Sequence, residues 1–159
     1  MRLSVHAIGR LKSSPEHALA LNYLSFAEKL GRRAGIKSVS LTEFPESRAG
    51  TLSVRKQQET DRLLDAVPAG TVPIALDERG EEFTSIQFAA ELRRLLDGGS
   101  KHVVFLIGGA DGHAAEIRAR ARLLSLGRMT WPHALVRLML AEQIYRSVTI
   151  LVNHPYHRA

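Results

Sequence analysis

The sequence predicts an α/β fold with a mainly parallel sheet and helices on both of its faces. Strand-like and helix-like segments alternate along the chain, and this pattern favours parallel strands joined by helices. Residues 72–77 and 102–107, the clearest strands, are dominated by apolar side chains, which is typical of strands buried inside a domain. The 159 residues match the usual size of one domain, and we predict a single domain over residues 1–159.

In the first half of the chain, residues that typically start or end helices and strands support the predicted elements. Gly9 ends the first strand, Pro15 marks the start of the first helix, and Gly35 ends that helix. Thr84 or Ser85 caps the third helix. The predicted segments are strands over 3–8, 36–41 and 72–77, helices over 15–34, about 55–66 and 85–96, a surface loop over 44–55 and a charged turn over 78–82.

The second half continues the alternation and ends in a long apolar helix. The predicted segments are a strand over 102–107, a helix from Gly112 to about Arg122, a short strand over 123–126, a helix from Pro132 to about Ser147 and an extended tail over 149–159. The last helix is apolar nearly all round, which indicates burial against more than one surface. In so small a protein one of those surfaces is a candidate subunit interface.

Composition excludes several classes of protein. The chain has no cysteine, which removes disulfides, thiolate zinc sites, iron–sulfur clusters and cysteine nucleophiles. We therefore expect a cytoplasmic protein, and we expect no membrane span because no apolar stretch reaches about 20 residues. The formal charge is +6, and residues 101–159 carry 8 Lys/Arg against 3 Asp/Glu. This asymmetry predicts a polyanionic partner, or else a basic surface without one.

Three strand ends carry unusual residues, and ligands of parallel sheets bind at such ends. These are Leu76-Asp77, Gly108-Gly109 and the loop from Gly127 to Pro132. Glycines after a buried strand let a ligand approach the backbone, although they also suit a tight turn with no ligand. Neither a dinucleotide fingerprint nor a P-loop is present, and there is no compact acidic cluster for a metal, so we expect no metal.

The tail Asn153-His154-Pro155-Tyr156-His157-Arg158 combines groups suited to RNA and to proton transfer. A docked structural tail is the alternative. Glu142 and Arg146 are spaced as an ordinary helical ion pair. Three arginines with few nearby acidic residues form either a solvated helix face or a phosphate-binding one: Arg118, Arg120 and Arg122.

Together these segments resemble one family over the full chain. The segments, in order, are Phe105 to Gly112, Leu124 to His133, Glu142-Gln143-Ile144-Tyr145-Arg146 and Asn153 to Arg158. They are similar in order and spacing to the ribosomal RNA large subunit methyltransferase H family. The resemblance implies a SPOUT-type α/β knot, in which the C-terminal part forms a trefoil knot.

The resemblance also implies S-adenosylmethionine as cofactor and a homodimer as the working form. Carried over to this sequence, the cofactor-binding residues are Leu76, Gly108, Gly127, Arg128, Met129, Thr130, Trp131 and Pro132. The expected catalytic residues are His154, His157, Arg146 and Glu142, with either histidine as the base. The expected RNA-binding residues are Tyr156, Arg158, Arg118 and Arg122.

The implied reaction is methylation of N3 of a pseudouridine in the helix 69 loop of 23S rRNA. A chain this small has no separate RNA-binding domain, so we expect the assembled ribosome to be the substrate. Two alternatives stay open at this point: a non-enzymatic RNA-binding module, and a SPOUT methyltransferase that acts on tRNA.

Overall fold

The computed structural model describes residues 1–157 and has a five-stranded, all-parallel sheet in the order β2-β1-β4-β3-β5. The strands are β1 (Arg2–Ile8), β2 (Ser38–Phe44), β3 (Val72–Glu82), β4 (His102–Ile107) and β5 (Arg122–Ser125). The helices are α1 (Pro15–Gly31), α2 (Leu52–Asp65), α3 (Ser85–Asp97), α4 (Ile117–Arg120) and α5 (His133–Leu151), with a 3-10 turn at Arg32–Ala34. The predicted parallel α/β fold is confirmed.

The sheet is buried on both faces, as its apolar strands predict. Side chains alternate along β4, so that Val103, Phe105 and Ile107 face one core while Val104 and Leu106 face the other. Helices α1, α3 and α5 supply the larger core, and α2 and α4 supply the smaller one.

The charged segment 78–82 was expected to be a turn, but β3 continues through it to Glu82. The register with β5 shifts between Leu76 and Glu81, and pairing resumes with Glu81 opposite Leu124 and Glu82 opposite Ser125. The pairing of β3 with β4 ends at Ala75, and a strand segment that lacks a neighbour on one side tolerates charged side chains, so their charge gave no sign of the extended backbone. Gly80 allows this close approach, since a Cβ there would lie 2.5 Å from the carbonyl carbon of Leu124.

The helix predicted from Gly112 to Arg122 is largely absent. Only Ile117–Arg120 is helical, and the chain is already extended at Arg122 as β5 begins. The alanines and arginines of this segment favour a helix, but the chain must cross from β4 past β3 to the sheet edge. This tertiary requirement overrides the local propensity.

Boundaries elsewhere differ by a few residues. The second strand covers Ser38–Phe44 rather than 36–41, and α2 starts at Leu52, where Thr51 caps it, inside the predicted loop. The predicted cap Thr84 is confirmed, with a full capping box to Gln87.

The last helix extends further than its pattern predicts. Helix α5 runs to Leu151, so the first part of the tail predicted as extended is helical. The chain then turns at Asn153, which has a φ of +54°, and the amide of His154 bonds to the carbonyl of Thr149 at 2.8 Å. Among the helices of residues 1–157, none is both long and apolar enough to cross a membrane.

Candidate active site

The three strand ends singled out in the sequence form one cleft of about 700 Å³. Leu76 ends the core part of β3, Gly108 follows β4, and the loop after β5 closes the third side. Predicted cofactor residues on its wall are Leu76, Gly108, Gly127, Met129, Thr130, Trp131 and Pro132. The structure therefore brings together every predicted cofactor residue except one.

The exception is Arg128, whose side chain is 94% exposed and approaches Glu82 at 3.9 Å. Its neighbours face the cleft, so the backbone of the loop passes the site while this side chain points to solvent. Met129 and Trp131 are themselves exposed, at 69% and 37%. The loop has few packing contacts to fix its side chains, which suits a segment that a ligand orders.

The turn after β4 requires glycine at two positions, for different reasons. A Cβ on Gly108 would lie 3.0 Å from the carbonyl carbon of Gly112 and 3.3 Å from Cε1 of His113. Gly112 has a φ of +74°, a conformation that side chains disfavour, and nothing lies within 4 Å of its Cβ position. The two glycines thus serve the turn and the adjoining open cleft together.

Charges of both signs line the mouth of the cleft: Lys56, Asp77, Glu78, Arg79, Asp111 and Arg118. Arg118, predicted to bind RNA, therefore lies at the cleft that holds the predicted cofactor residues. His113 lies on the same wall and is 8% exposed, and burial lowers the pKa of its imidazole. A neutral imidazole is the expected form near pH 7.

The predicted tail residues cluster on α5. The hydroxyl of Tyr156 donates to Glu142 Oε1 at 3.0 Å, and Arg146 donates to the same oxygen. The Arg146 guanidinium lies 5.0 Å from the Tyr156 ring centre, and Tyr145 packs 4.7 Å from that ring. Burial, followed by the bonds to Tyr23 and Glu142, raises the pKa of Tyr156. The tail is therefore docked through the very pair predicted as catalytic.

Neither tail imidazole presents a free nitrogen as a base in this arrangement. His154 Nδ1 accepts a hydrogen bond from the Tyr156 amide at 3.2 Å, so in the neutral ring the proton is on Nε2. Both ring nitrogens of His157 are shielded from solvent without a hydrogen-bond partner among residues 1–157. Arg158, the remaining predicted tail residue, lies outside the described residues.

The tail cluster, formed by Glu142, Arg146 and Tyr156, and the cleft lie at different positions along α5. His133 lines the cleft, whereas Glu142 is nine residues further along, about 14 Å by the helical rise. None of residues 153–157 lines the cleft. A single chain thus holds the two halves of the predicted site apart.

Arg122 is not the unpaired cation that the sequence indicated. Its guanidinium pairs with Glu91 and lies 3.8 Å from Glu81. The two acidic partners are far away in sequence, on α3 and β3, so sequence spacing gave no sign of them.

Comparison with known proteins shows which family this chain belongs to. A model described as "Predicted SPOUT methyltransferase" matches residues 1–157. Relatives named ribosomal RNA large subunit methyltransferase H cover the whole of both chains: 46% identical in Bradyrhizobium diazoefficiens, 44% in Brucella anthropi and 47% in Mesorhizobium japonicum. The chain belongs to the ribosomal RNA large subunit methyltransferase H family.

Membership of the methyltransferase H family confirms the resemblance drawn from the four motifs. SPOUT methyltransferases use S-adenosylmethionine, so the family also accounts for a cleft at the ends of parallel strands. Sequence reasoning missed the contacts that support the cleft from behind. Arg55 on α2 pairs with Asp111 at 3.0 Å, and Thr60 Oγ1 accepts a bond from the Ala114 amide at 2.8 Å.

The sequence of this family member gave only a weak indication of those contacts. Helix α2 corresponds to the most charged of the predicted helices, and charged side chains are exposed on average. Glu59 is instead buried, at 5% exposed, and accepts a bond from the Ser47 amide at 2.8 Å. Its second oxygen lies 2.5 Å from where a Cβ on Gly109 would be, so this helix braces the glycine turn.

Proposed function

We propose that this chain transfers a methyl group from S-adenosylmethionine to N3 of a pseudouridine in 23S rRNA, in the helix 69 loop of the assembled ribosome. The observation that carries the proposal is the convergence of Leu76, Gly108 and the 127–132 loop on one cleft. The relatives' name, which specifies ribosomal RNA of the large subunit, supports this class of substrate.

The residues present fit the cofactor. The cleft combines apolar walls from Leu76, Leu124 and Val136 with the glycine turn at Gly108, where a side chain would clash with the backbone of Gly112. When bound, S-adenosylmethionine supplies a methyl group activated by a neighbouring positive sulfur. The protein is left to hold the acceptor nitrogen in line with that group, and positioning of this kind needs neither a metal nor a nucleophilic side chain.

The proton on the acceptor N3 must leave for the nitrogen to react. A cation beside the ring favours the deprotonated form, and Arg146 is the cation that the structure places in the tail cluster. His154 and His157 stay in the proposal as groups that take up the proton. For either to act, the tail must leave the docked position in which their nitrogens are bonded or shielded.

The proposed working form is a homodimer in which the tail cluster of one subunit meets the cleft of the other. The distance between cleft and tail within one chain supports this. So does an apolar groove of about 620 Å³ beside the cleft, which Leu19, Tyr23, Phe88 and Met139 help to line. Phe26, on the same helix as Leu19, is 49% exposed.

The proposal includes the trefoil knot of the SPOUT fold. Strand β5 pairs only with β3 at the edge of the sheet, and α5 then returns to pack on α1 and α3. The chain after β5 thus passes back beside the turn that follows β4, and this path supports a threaded arrangement of residues 108–133.

Mass spectrometry of 23S rRNA after incubation with ribosomes and labelled S-adenosylmethionine tests the function. We expect one added methyl group at a pseudouridine, a much slower reaction on naked 23S rRNA, and loss of activity in Thr130→Trp, which fills the cleft. Arg93→Met, on an exposed face of α3, is the matched control. Methylated tRNA, or cofactor-independent RNA binding alone, would refute the proposal in favour of one of the two alternatives.

A further inference from the structure

His113 lies where strands β3 and β4 separate. The last paired residues of the two strands are Ala75 and Leu106, so Leu76 is the first residue of β3 beyond the ladder. The carbonyl groups of Leu106 and Leu76 face the imidazole, yet neither ring nitrogen has a hydrogen bond of good geometry among residues 1–157. The ring thus occupies the opening between the two strand ends.

The same ring contacts the glycine turn on its other side. Its Cε1 lies 3.3 Å from the position of a Cβ on Gly108, which leaves no room for further approach. Leu76 and Gly108 are the cofactor residues at the ends of β3 and β4, and His113 is packed against both strands. The side chain is 8% exposed, so neighbouring atoms rather than water determine its position.

The charged groups that face the ring come from two elements. Asp77 on β3 favours the protonated imidazole, and Lys56 on α2 opposes it. Strand β4 contributes only backbone, through Leu106. Burial is the largest influence and lowers the pKa of His113 below its usual 6.5.

We propose that His113 is a positioning residue of the cleft, which keeps Leu76 and Gly108 at the separation that S-adenosylmethionine requires and does so in its neutral form. This inference rests on the proposed function. It assigns a role to a buried group that the reaction itself does not use.

Protonation of the ring opposes cofactor binding for a simple electrostatic reason. The cofactor brings a positive sulfur into the cleft, and a second positive charge in its wall repels it at short range. A charged imidazole also pulls on the carbonyls of Leu76 and Leu106 at once, which changes the opening between the strands. By linkage, bound cofactor lowers the pKa of His113 by the same free energy that protonation costs in binding.

Calorimetry of S-adenosylmethionine binding between pH 7.5 and 5.0 tests the inference. We expect the affinity of the native protein to fall at least about twofold as pH decreases below 6.5, following the linkage above. His113→Asn keeps a polar side chain near the carbonyls of Leu76 and Leu106, and we expect binding within about threefold of native at pH 7.5 but no fall below pH 6.5. His113→Leu puts an apolar side chain against those carbonyls, and we expect about tenfold weaker binding with the same flat profile.

His102→Asn is the matched control, because His102 is a second buried histidine at the opposite end of β4. It should keep the native pH dependence of cofactor binding. Native-like pH dependence in His113→Asn would overturn the inference, as would a flat profile in the native protein.

A second measurement needs no substitution and covers the case in which a His113 variant fails to fold. NMR titration of the imidazole in the native protein should give a lower pKa with cofactor bound than without it; an unchanged value overturns the inference. Failure of the native protein to bind S-adenosylmethionine at any pH, with or without ribosomes, would overturn the proposed function as well. If the protein binds S-adenosylmethionine and methylates rRNA, but protonation of His113 does not affect cofactor binding, only this inference is overturned.

Discussion

Arg137 donates a 2.8 Å hydrogen bond to the carbonyl of Gly9, a residue 128 positions earlier in the chain. The same guanidinium bonds to the carbonyl of Ile8 and to Glu43 Oε1 at 2.5 Å, and its side chain is 1% exposed. It joins the start of α5 to the ends of β1 and β2. Val136, the preceding residue, lines the cleft at the strand ends.

Replacement of Arg137 by Met should destabilise the protein by about 3 kcal/mol, because the half-buried Glu43 loses its charged partner and the carbonyls of Ile8 and Gly9 lose their donor. Urea unfolding measures the loss. Arg93→Met, which removes an arginine whose side chain is 40% exposed and pairs with Asp97 on the same helix, should change stability by less than about 0.5 kcal/mol. Equal effects of the two substitutions would show that the buried pairing contributes nothing.

Gly80→Ala should destabilise the protein by about 1–3 kcal/mol, because its Cβ would overlap the backbone at Leu124 and force β3 and β5 apart. Thermal or urea unfolding provides the measurement. Gly50→Ala is the control, since nothing lies within 4 Å of its Cβ position. A Gly80→Ala protein as stable as that control would contradict the close strand pairing.

Stability should fall by about 1 kcal/mol as pH decreases from 7.5 to 5.5. Burial lowers the pKa of His6 and of His102 below 6.5, so the unfolded chain binds more protons than the native protein in this range. The two neutral histidines therefore contribute fully to the free energy of unfolding above pH 6.5, and this contribution is lost as pH falls. Urea unfolding at each pH checks this, and the double variant His6→Asn, His102→Asn should show a smaller pH dependence.

Glu91 should stabilise the protein in mild acid. Its bonds to Arg94 and Arg122 lower the pKa of this carboxyl to about 2. The ionised form therefore persists as pH falls, and its contribution is present above pH 4.5 and lost towards pH 2. We expect Glu91→Gln to cost about 1 kcal/mol at pH 6, discounted for solvent screening, and to reduce the fall in stability between pH 4.5 and 2. An unchanged acid-unfolding curve would refute this role.

Mixed dimers should recover activity if each site combines one subunit's cleft with the other's tail. Thr130→Trp fills the cleft and Arg146→Ala removes the tail cation, so each variant alone should be inactive. Dimers formed from both variants retain one intact combination, and we expect up to about half the native activity per mixed dimer. No recovery in verified mixed dimers would place cleft and tail of one site in the same subunit.

The cleft was predictable because strand ends of a parallel sheet meet at one edge. Leu76 lies where β3 leaves its pairing with β4, and Gly108 and Gly127 follow β4 and β5, so topology alone brings them together whatever the intervening residues do. The tail cluster was predictable in part, since four-residue spacing places Glu142 beside Arg146 on a helix. The docking of Tyr156 onto that pair was not, because the turn at Asn153 leaves no periodic signal.

Long-range polar contacts could not be predicted from the sequence, for a different reason. Arg122 and Glu91, like Arg137 and Glu43, are distant in sequence and meet only after strands and helices have packed. His113 follows a glycine turn that predicts exposure, yet the separation of β3 and β4 buries it. Charge and polarity predict solvent contact on average, and these residues depart from that average because each fills a specific gap.

Leu124, Leu126 and Gly127 line both the proposed cofactor cleft and the apolar groove beside it. One short stretch of backbone after β5 is thus a wall common to two compartments. If its position responds to an occupant on either side, then cofactor and groove partner influence each other's dissociation constants by an identical factor. These three residues would then couple binding of the cofactor to binding of the groove partner, without any dedicated regulatory domain.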